Sequence, residues 1–292
     1  MSRPVVLLAT CSQLPVGDGD DDALPGALAA VGVDAAFAPW DDPATAFADA
    51  DLVVLRATWD YTTRYKEFLA WCESLPALAN PAPVVRWNTD KSYLVDLAAD
   101  GVAVVPTAVV APGERPDWPD TEVVVKPAVG VGSSGAARFT VQQWDEAGEH
   151  LAALHADGHT VLVQPYQPAV AAEGETALVY LGGIYSHAFN KGPMLGNEAD
   201  DSGLFLTEKL RPAEPTGEQR RLAEDVLDAT CARFRLRRCD LVYARVDVVH
   251  GPDGRPLLLE LELTEPSLGL RQTGPEAPAR FASAVRAALP RR

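Results

Sequence analysis

The stretch Val123–Gly135, VVVKPAVGVGSSG, constrains this chain more than any other. Three β-branched residues in a row, Val123, Val124 and Val125, predict a buried strand. That strand delivers a cation, Lys126, to a loop carrying Gly130, Gly132 and Gly135 and the hydroxyls of Ser133 and Ser134. A loop poor in Cβ atoms lets backbone N–H groups close on phosphate oxygens, and a lysine at its root adds a point charge for the same anion. The letters also satisfy G-x-G-x-x-G, yet no helix pattern follows, because Ala136–Val141 reads as a second strand. No Lys-Ser or Lys-Thr pair closes the loop, so it is not a P-loop. Strand, glycine loop, strand is the arrangement of a flap over nucleotide phosphates, with an ordinary glycine hairpin as the plain alternative.

Length and charge narrow the partners. A chain of 292 residues buries a sizeable core and accommodates two or three compact units. Its 41 acidic against 25 basic residues, a net charge of −16, argue against nucleic acid and anionic membrane as partners. Local cations decide a nucleotide site, so the balance does not argue against one. The cysteines Cys11, Cys72, Cys231 and Cys239 show no C-x-x-C spacing, and no apolar run reaches membrane-spanning length. Val5–Ala9 is too short for a signal peptide. The expectation is a cytoplasmic protein whose cysteines are reduced core residues.

Taken in order, the chain alternates strands and helices through its first third. Strands are predicted at 4–10, at Val33–Trp40 and at Asp51–Arg56, with helices at Asp22–Val31 and Tyr65–Leu75. This pattern implies a small parallel α/β unit, whose ligands sit beyond the carboxyl ends of its strands. That rule places Thr10, Arg56 and Asp60 at a substrate rim. Asp18, Asp20, Asp21 and Asp22 read instead as a solvated turn leading to a helix cap. Asn80–Pro83 reads as a Pro-rich linker. Lys91 falls in the first turn of a helix over Asp90–Ala99, where a cation opposes the dipole, so an external anion would explain it. A solvated surface lysine is the other reading.

Further along, Gly101–Val110 reads as a strand and Gln142–Ala156 as a helix. Thr160–Tyr166, TVLVQPY, reads as a Pro-bounded strand end where adenine would pair with backbone. Gly174–Tyr180 and Gly183–Asn190 read as strands paired across Gly182-Gly183, with Lys191 following. Residues 193–210 read as a loop or lid. A helix over Glu218–Phe234, a hairpin of Leu241–Val249 with Pro256–Leu263 turned at Gly251–Gly254, and a closing helix Phe281–Leu289 complete the pattern.

The last hairpin carries the acids. Alternation puts Arg245 and Asp247 on one face of their strand and Glu260 and Glu262 on one face of the partner. Carboxylates converging on adjacent strands repel unless a cation lies between them, and Mg2+ suits oxygen donors beside nucleotide phosphates. An exposed acidic sheet face, with Arg245 paired to Glu262, is the alternative.

The series Lys91, Lys126, glycine flap, hinge at Gln164–Tyr166, Lys191, R-x-D and E-x-E resembles the ATP-grasp superfamily over essentially the full length. Within it, LRATWDY (55–61), WNTDKSYL (87–94), QPY (164–166), SHAFNK (186–191) and ELTEPSL (262–268) are similar to the group that includes the D-cycloserine-forming ligase. The resemblance implies an α/β pre-ATP-grasp unit over 1–88. A two-subdomain ATP-grasp α+β fold would follow, with a central subdomain at 89–165 and a C-terminal one at 166–292. It implies ATP and Mg2+ as cofactors. Lys91, Lys126 and the loop Gly130–Gly135 would hold phosphates, Gln164 and Tyr166 adenine, and Glu173 or Glu175 the ribose or hinge. Asp247, Glu260 and Glu262 would hold Mg2+. Glu262 departs from the common pattern, which has Asn there. Arg245 and Lys191 would act on the transferring phosphoryl group, and Glu265, Ser267 and Arg271 on substrate.

The implied activity is that of a ligase. A small-molecule carboxylate becomes an acyl phosphate with release of ADP, and an amine then displaces phosphate, between molecules or by cyclisation. Amino-acid-like substrates and a homodimer are expected. A small-molecule kinase and a non-catalytic nucleotide-binding module are the alternatives. No Ser/His or Cys/His nucleophile pattern is present, and of the scattered histidines only His187 falls in a site-like stretch.

Overall fold

The computed structural model describes residues 2–193, 204 and 209–290. Strands β1 (Val5–Thr10), β2 (Asp34–Pro39) and β3 (Leu52–Leu55) form a parallel sheet in the order β2-β1-β3. Alternate side chains enter different cores. Val6, Leu8, Leu52 and Val54 join one cluster, while Ala9, Val53 and Leu55 join another with Trp40 and Phe68. Helices α1 (Leu24–Ala30) and α2 (Tyr65–Ser74) supply apolar faces to these cores. The α1 N-terminus has no side-chain cap, so the expected Asp cap is absent.

The expected linker at Asn80–Pro83 is instead the start of α3 (Ala82–Asn88). Pro81 and Pro83 fall at its N-cap and first turn, where a missing N–H goes unused. Helix α4 (Tyr93–Ala99) begins after Lys91, so that lysine does not oppose a helix dipole. Its N–H instead donates to the Ala128 carbonyl at 2.8 Å, tying it to the glycine loop.

The middle sheet is antiparallel, β4-β7-β5-β6, built from β4 (Ala108–Val110), β5 (Val123–Pro127), β6 (Ala137–Phe139) and β7 (Val161–Pro165). Helix α5 (Trp144–Ala156) packs Leu151 and Leu154 against it. The strand expected over Gly101–Val110 is confined to its last three residues. Before Pro106 the chain pairs elsewhere: Val105 N–H donates to Leu258 O at 2.9 Å and Leu258 N–H to Ala103 O at 2.8 Å.

After α6 (Ala169–Glu173), strands β8 (Glu175–Leu181), β9 (Ile184–Lys191), β10 (Leu210–Ala213), β11 (Tyr243–His250) and β12 (Pro256–Glu262) form an antiparallel sheet in the order β10-β9-β8-β11-β12. Helix α7 (Gly217–Phe234) starts with a Thr216/Gln219 capping box, and α8 (Glu276–Ala288) closes the chain earlier than the predicted Phe281. Most of the expected lid at 193–210 lies outside the described residues.

The cores cut across the expected boundaries. Ala177, Val179 and Phe281 share a cluster with β1 and β3. Tyr93, Leu94 and Leu97 of α4, assigned by sequence to the middle unit, pack with Leu222, Val226 and Leu261 of the last one. Cys11, Cys72 and Cys231 are buried free thiols as expected, whereas Cys239 is exposed. Among the described residues no helix is long and apolar enough to cross a membrane.

Candidate active site

The face of the five-stranded sheet carries the expected polar groups in register. Arg245 stands opposite Glu262 and Asp247 opposite Glu260 across the β11–β12 hairpin, and Glu175 opposite Lys191 across β8–β9. The side chains then interlock. Lys191 Nζ lies 2.6 Å from Asp247 Oδ2 and 2.9 Å from Glu175 Oε2. The Arg245 guanidinium holds both Asp247 oxygens, donates to Glu262 Oε1 at 2.5 Å and to the Ser267 carbonyl at 2.9 Å. Glu175 thus joins this ion cluster while also lining the cleft. Glu173, its sequence alternative, sits outside the cleft with its carboxylate 2.7 Å from His250 Nδ1.

Facing this floor is the middle sheet. Lys126 and the loop line the same cleft of about 950 Å³ as Lys191, Arg245 and Glu260. The loop turns through left-handed backbone at Gly132, Ser133 and Gly135, at φ of 57°, 61° and 71°. A Cβ on Gly135 would stand 3.2 Å from Pro127 Cδ as well, so glycine is required there twice over. Lys91 bridges floor and roof, with Nζ 3.0 Å from Glu260 Oε1 and 2.5 Å from the Gly130 carbonyl. Gln164 and Tyr166 line the far wall. Gln164 Nε2 donates to Thr107 Oγ1 at 2.9 Å, and the Arg138 guanidinium lies 3.7 Å from the centre of the Tyr166 ring.

Burial controls the charges. It lowers the Lys126 pKa, aided by repulsion from Lys91 and Lys191, against attraction by Glu260 and Glu175. Burial also pushes Glu260 up, but Lys91, Lys126 and Lys191 together outweigh it and hold that carboxylate well below its ordinary range. Glu262 goes the other way, to about 8, through burial and repulsion by Glu260 and Asp247 against the pull of Arg245. Oxygens of Asp247, Glu260 and Glu262 lie within 4.8 Å of one another. Two ligands of one Mg2+ stand at most about 4.2 Å apart, so small rotations suffice. An all-oxygen donor set fits a hard divalent cation. Arg245 and Lys191 already hold the Asp247 oxygens, so a cation there would compete with them.

The substrate rim differs from expectation. Arg56, Thr10 and Asp60 do not line the cleft. Arg56 is buried in a bidentate pair with Asp21 at 2.8 and 3.0 Å, and Asp60 accepts from Trp40 Nε1 at 2.8 Å. Thr10 Oγ1 donates to the Pro15 carbonyl at 3.1 Å. The rim exists, but residues 264–272 cover it, which turns its polar groups inward. Asp18 and Asp20, predicted to be solvated, line the cleft instead, beside Ser267 and Arg271. Asp20 Oδ1 accepts from the Arg271 N–H at 2.9 Å, and burial with repulsion from Asp21 raises Asp18 to about 6.

Glu265 also lines this end, with the Tyr61 hydroxyl beside it lowering its pKa against the effect of burial. Its segment is held by an arrangement no sequence motif announces. Six consecutive carbonyls, from Leu263 to Leu268, accept in turn from Asn80 Nδ2, Tyr243 OH, Trp59 Nε1, Arg56 Nη2, Arg245 Nη1 and His187 Nε2, at 2.7–3.0 Å. Half of these donors come from the first 80 residues. Trp59 and Tyr61, whose only signal was an aromatic cluster at a strand end, therefore shape the site.

Comparisons with known proteins agree with this geometry. Residues 6–81 match the family described as "D-cycloserine synthetase DcsG, N-terminal domain". The cycloserine biosynthesis protein DcsG of Streptomyces lavendulae is 40% identical over 282 residues, spanning 91% of this chain and 92% of that protein. The crystal structure of D-cycloserine synthetase DcsG superposes with a TM-score of 0.87 at 37% identity, covering 98% of this chain and all of that one. D-alanine–D-alanine ligase from Bacillus anthracis, solved with ATP, shares the fold at a TM-score of 0.63 and 15% identity, over 99% of each chain. With two-fifths of positions identical across nine-tenths of both sequences, the chain belongs to the DcsG family and has the ATP-grasp fold.

Proposed function

We propose that this protein is an ATP-dependent ligase that activates the carboxylate of a small amino-acid derivative as an acyl phosphate and closes it onto an amine. The observation that carries the reading is the meeting of Lys91 and Lys126 with Lys191, Arg245, Glu175, Glu260 and Glu262 in one cleft, over a buried Asp247 that pairs with Lys191 and Arg245. Lys91, Lys126, Lys191 and Arg245 face Glu175, Asp247, Glu260 and Glu262, and burial favours the neutral form of Glu175 and of Glu262, which leaves the set short of negative charge. A nucleoside triphosphate entering with one divalent cation brings a net charge of about −2 to such a set. Lys126, whose charge burial disfavours, gains an anion.

In this reading the units 89–165 and 166–292 enclose the nucleotide, with Gly130–Gly135 over its phosphates and Gln164 and Tyr166 beside the base. Asp247, Glu260 and Glu262 would hold Mg2+, which when bound supplies charge neutralisation on the phosphate oxygens. Arg245 and Lys191 draw the transferring phosphoryl group toward the substrate carboxylate. No side-chain nucleophile is needed, since catalysis here is placement plus charge neutralisation.

The name of the relatives narrows the chemistry. In D-cycloserine a ring C–N bond joins the carboxyl carbon to an oxyamine nitrogen of the same molecule. The substrate class is then a β-aminooxy amino acid, its polar ends met by Asp18, Asp20, Ser267 and Arg271. Purified protein with MgATP and β-aminooxy-D-alanine should release ADP and phosphate and give the cyclic product by mass spectrometry. Added hydroxylamine should trap a hydroxamate. No substrate-dependent ADP across a panel of amino acids and their ureido and aminooxy analogues would refute the reading. A stable phosphorylated product without hydroxamate would make the protein a kinase.

A further inference from the structure

The carboxylates of the cleft differ in their partners. Glu175, Asp247, Glu260 and Glu262 each pair with a lysine or arginine. Among the described residues Asp18, Asp20 and Glu265 have no such ion pair, and of these Glu265 lies next to the acid cluster, with the Tyr61 phenol beside it. It is only 8% exposed yet lines the substrate end of the cleft. The clamp on carbonyls 263–268 fixes its backbone, with Trp59 Nε1 on its own carbonyl at 3.0 Å. A carboxylate bound to a cation is a poor base. One that is buried, held by a neutral donor and fixed in place is suited to take a proton.

Resting on the ligase reading, we propose that Glu265 is the general base that takes the proton from the attacking nitrogen as the C–N bond forms. The nitrogen lone pair bonds to the acyl carbon. The bond from that carbon to the phosphate oxygen breaks, and phosphate leaves with the electron pair. The proton that nitrogen sheds goes to the Glu265 carboxylate and from there to water. Formation of the acyl phosphate precedes this and does not use Glu265.

The surroundings tune the group for the task. The titratable and charged groups that act on it are Tyr61 from the first unit, Lys91, Arg245 from β11 and Glu260 from β12, and it acts in turn on Cys72 and Tyr243. Burial raises Glu265 most. Lys91, the Tyr61 hydroxyl and Arg245 lower it, Glu260 raises it, and the balance stands at about 7. A base must be ionised to act, so product formation should rise with pH through the neutral range.

The test separates the two half-reactions. Positional isotope exchange of 18O in ATP, run with an analogue of the substrate that keeps the carboxylate but lacks the aminooxy nitrogen, reads acyl phosphate formation apart from the C–N step. Glu265→Gln should retain that exchange, while kcat for cyclic product falls roughly 10²–10⁴-fold and the ascending limb of its pH profile disappears. Unchanged product formation, a surviving limb, or loss of the exchange in E265Q would overturn the proposal. So would a raised KM at constant kcat, which would make Glu265 a substrate-binding group. Tyr61→Phe removes a hydroxyl that lowers the Glu265 pKa, so the limb should move to higher pH. If E265Q fails to fold, an unmoved limb in Y61F decides against the base. Absence of exchange in the unmodified protein would instead bring down the ligase reading itself.

Discussion

Arg56 looks like a substrate ligand in the sequence and is a buried structural cation in the fold, and a single substitution separates these roles. Asp21→Asn removes the charge that compensates a guanidinium whose side chain is 1% exposed. The Arg56–Asp21 pair is bidentate at 2.8 and 3.0 Å, and the same guanidinium donates to Pro266 O at 2.8 Å. Tyr243 and Phe281 lie beside it, with ring centres 5.5 and 5.8 Å away. Asn offers one acceptor oxygen and turns an N–H toward an N–H. Leaving one partner of a buried pair uncompensated costs about 3–5 kcal/mol. For a chain of this size that lowers Tm by roughly 5–8 °C. A thermal scan of D21N by circular dichroism measures it. The double variant D21N/R56M, which removes both charges, should recover most of the loss. A Tm shift of D21N below about 2 °C, together with a raised KM for the carboxylate substrate, would refute the reasoning and return Arg56 to the substrate.

Three further outcomes are expected. Lys126→Ala and Asp247→Asn should each cut ADP release by roughly 10²-fold or more with the circular dichroism spectrum intact. Lys191 keeps Glu175 and Arg245 keeps Glu262 when Asp247 is neutralised, which spares the fold. Unchanged ADP release by K126A would contradict the site. Chelation of divalent cation should abolish ADP release and added Mg2+ restore it; activity in excess chelator would exclude the Asp247–Glu260–Glu262 site as a required metal centre. Gly135→Ala forces a Cβ into left-handed backbone against Pro127 and should raise KM for ATP several-fold, read by nucleotide titration, and cost about 1 kcal/mol of stability.

The parts of the site legible in the sequence are those built by local rules. Strand alternation put Arg245 with Asp247 and Glu260 with Glu262, and the hairpin register brought them together. The β-branched run and the glycines produced β5, its loop and β6 without an intervening helix. What the sequence hid depends on contacts between distant segments. Lys91 is reached by the Gly130 carbonyl 39 residues away, and nothing in WNTDKSYL announces that. Arg56 and the Asp-rich turn obey the strand-end rule, but the rule is blind to a loop more than 200 residues later that covers them.

That covering loop explains why the first unit cannot be a detachable appendage. Asn80, Trp59 and Arg56 hold the carbonyls of Leu263, Glu265 and Pro266, while Tyr243, Arg245 and His187 hold those of Thr264, Ser267 and Leu268. A backbone segment with regular pairing would satisfy its own carbonyls and need no such donors. Here the chain leaves β12 and runs irregularly past the substrate end, so every acceptor must be met by a side chain or by water. Meeting them with rigid side chains from both ends of the sequence fixes Glu265 and the Arg245 guanidinium relative to each other, since Arg245 is itself one of the donors. Arg245 therefore has two roles that cannot be varied separately: it bears on the acid cluster and it sets the loop. Replacing it with Lys would preserve charge but lose the fork that spans Asp247, Glu262 and the Ser267 carbonyl at once.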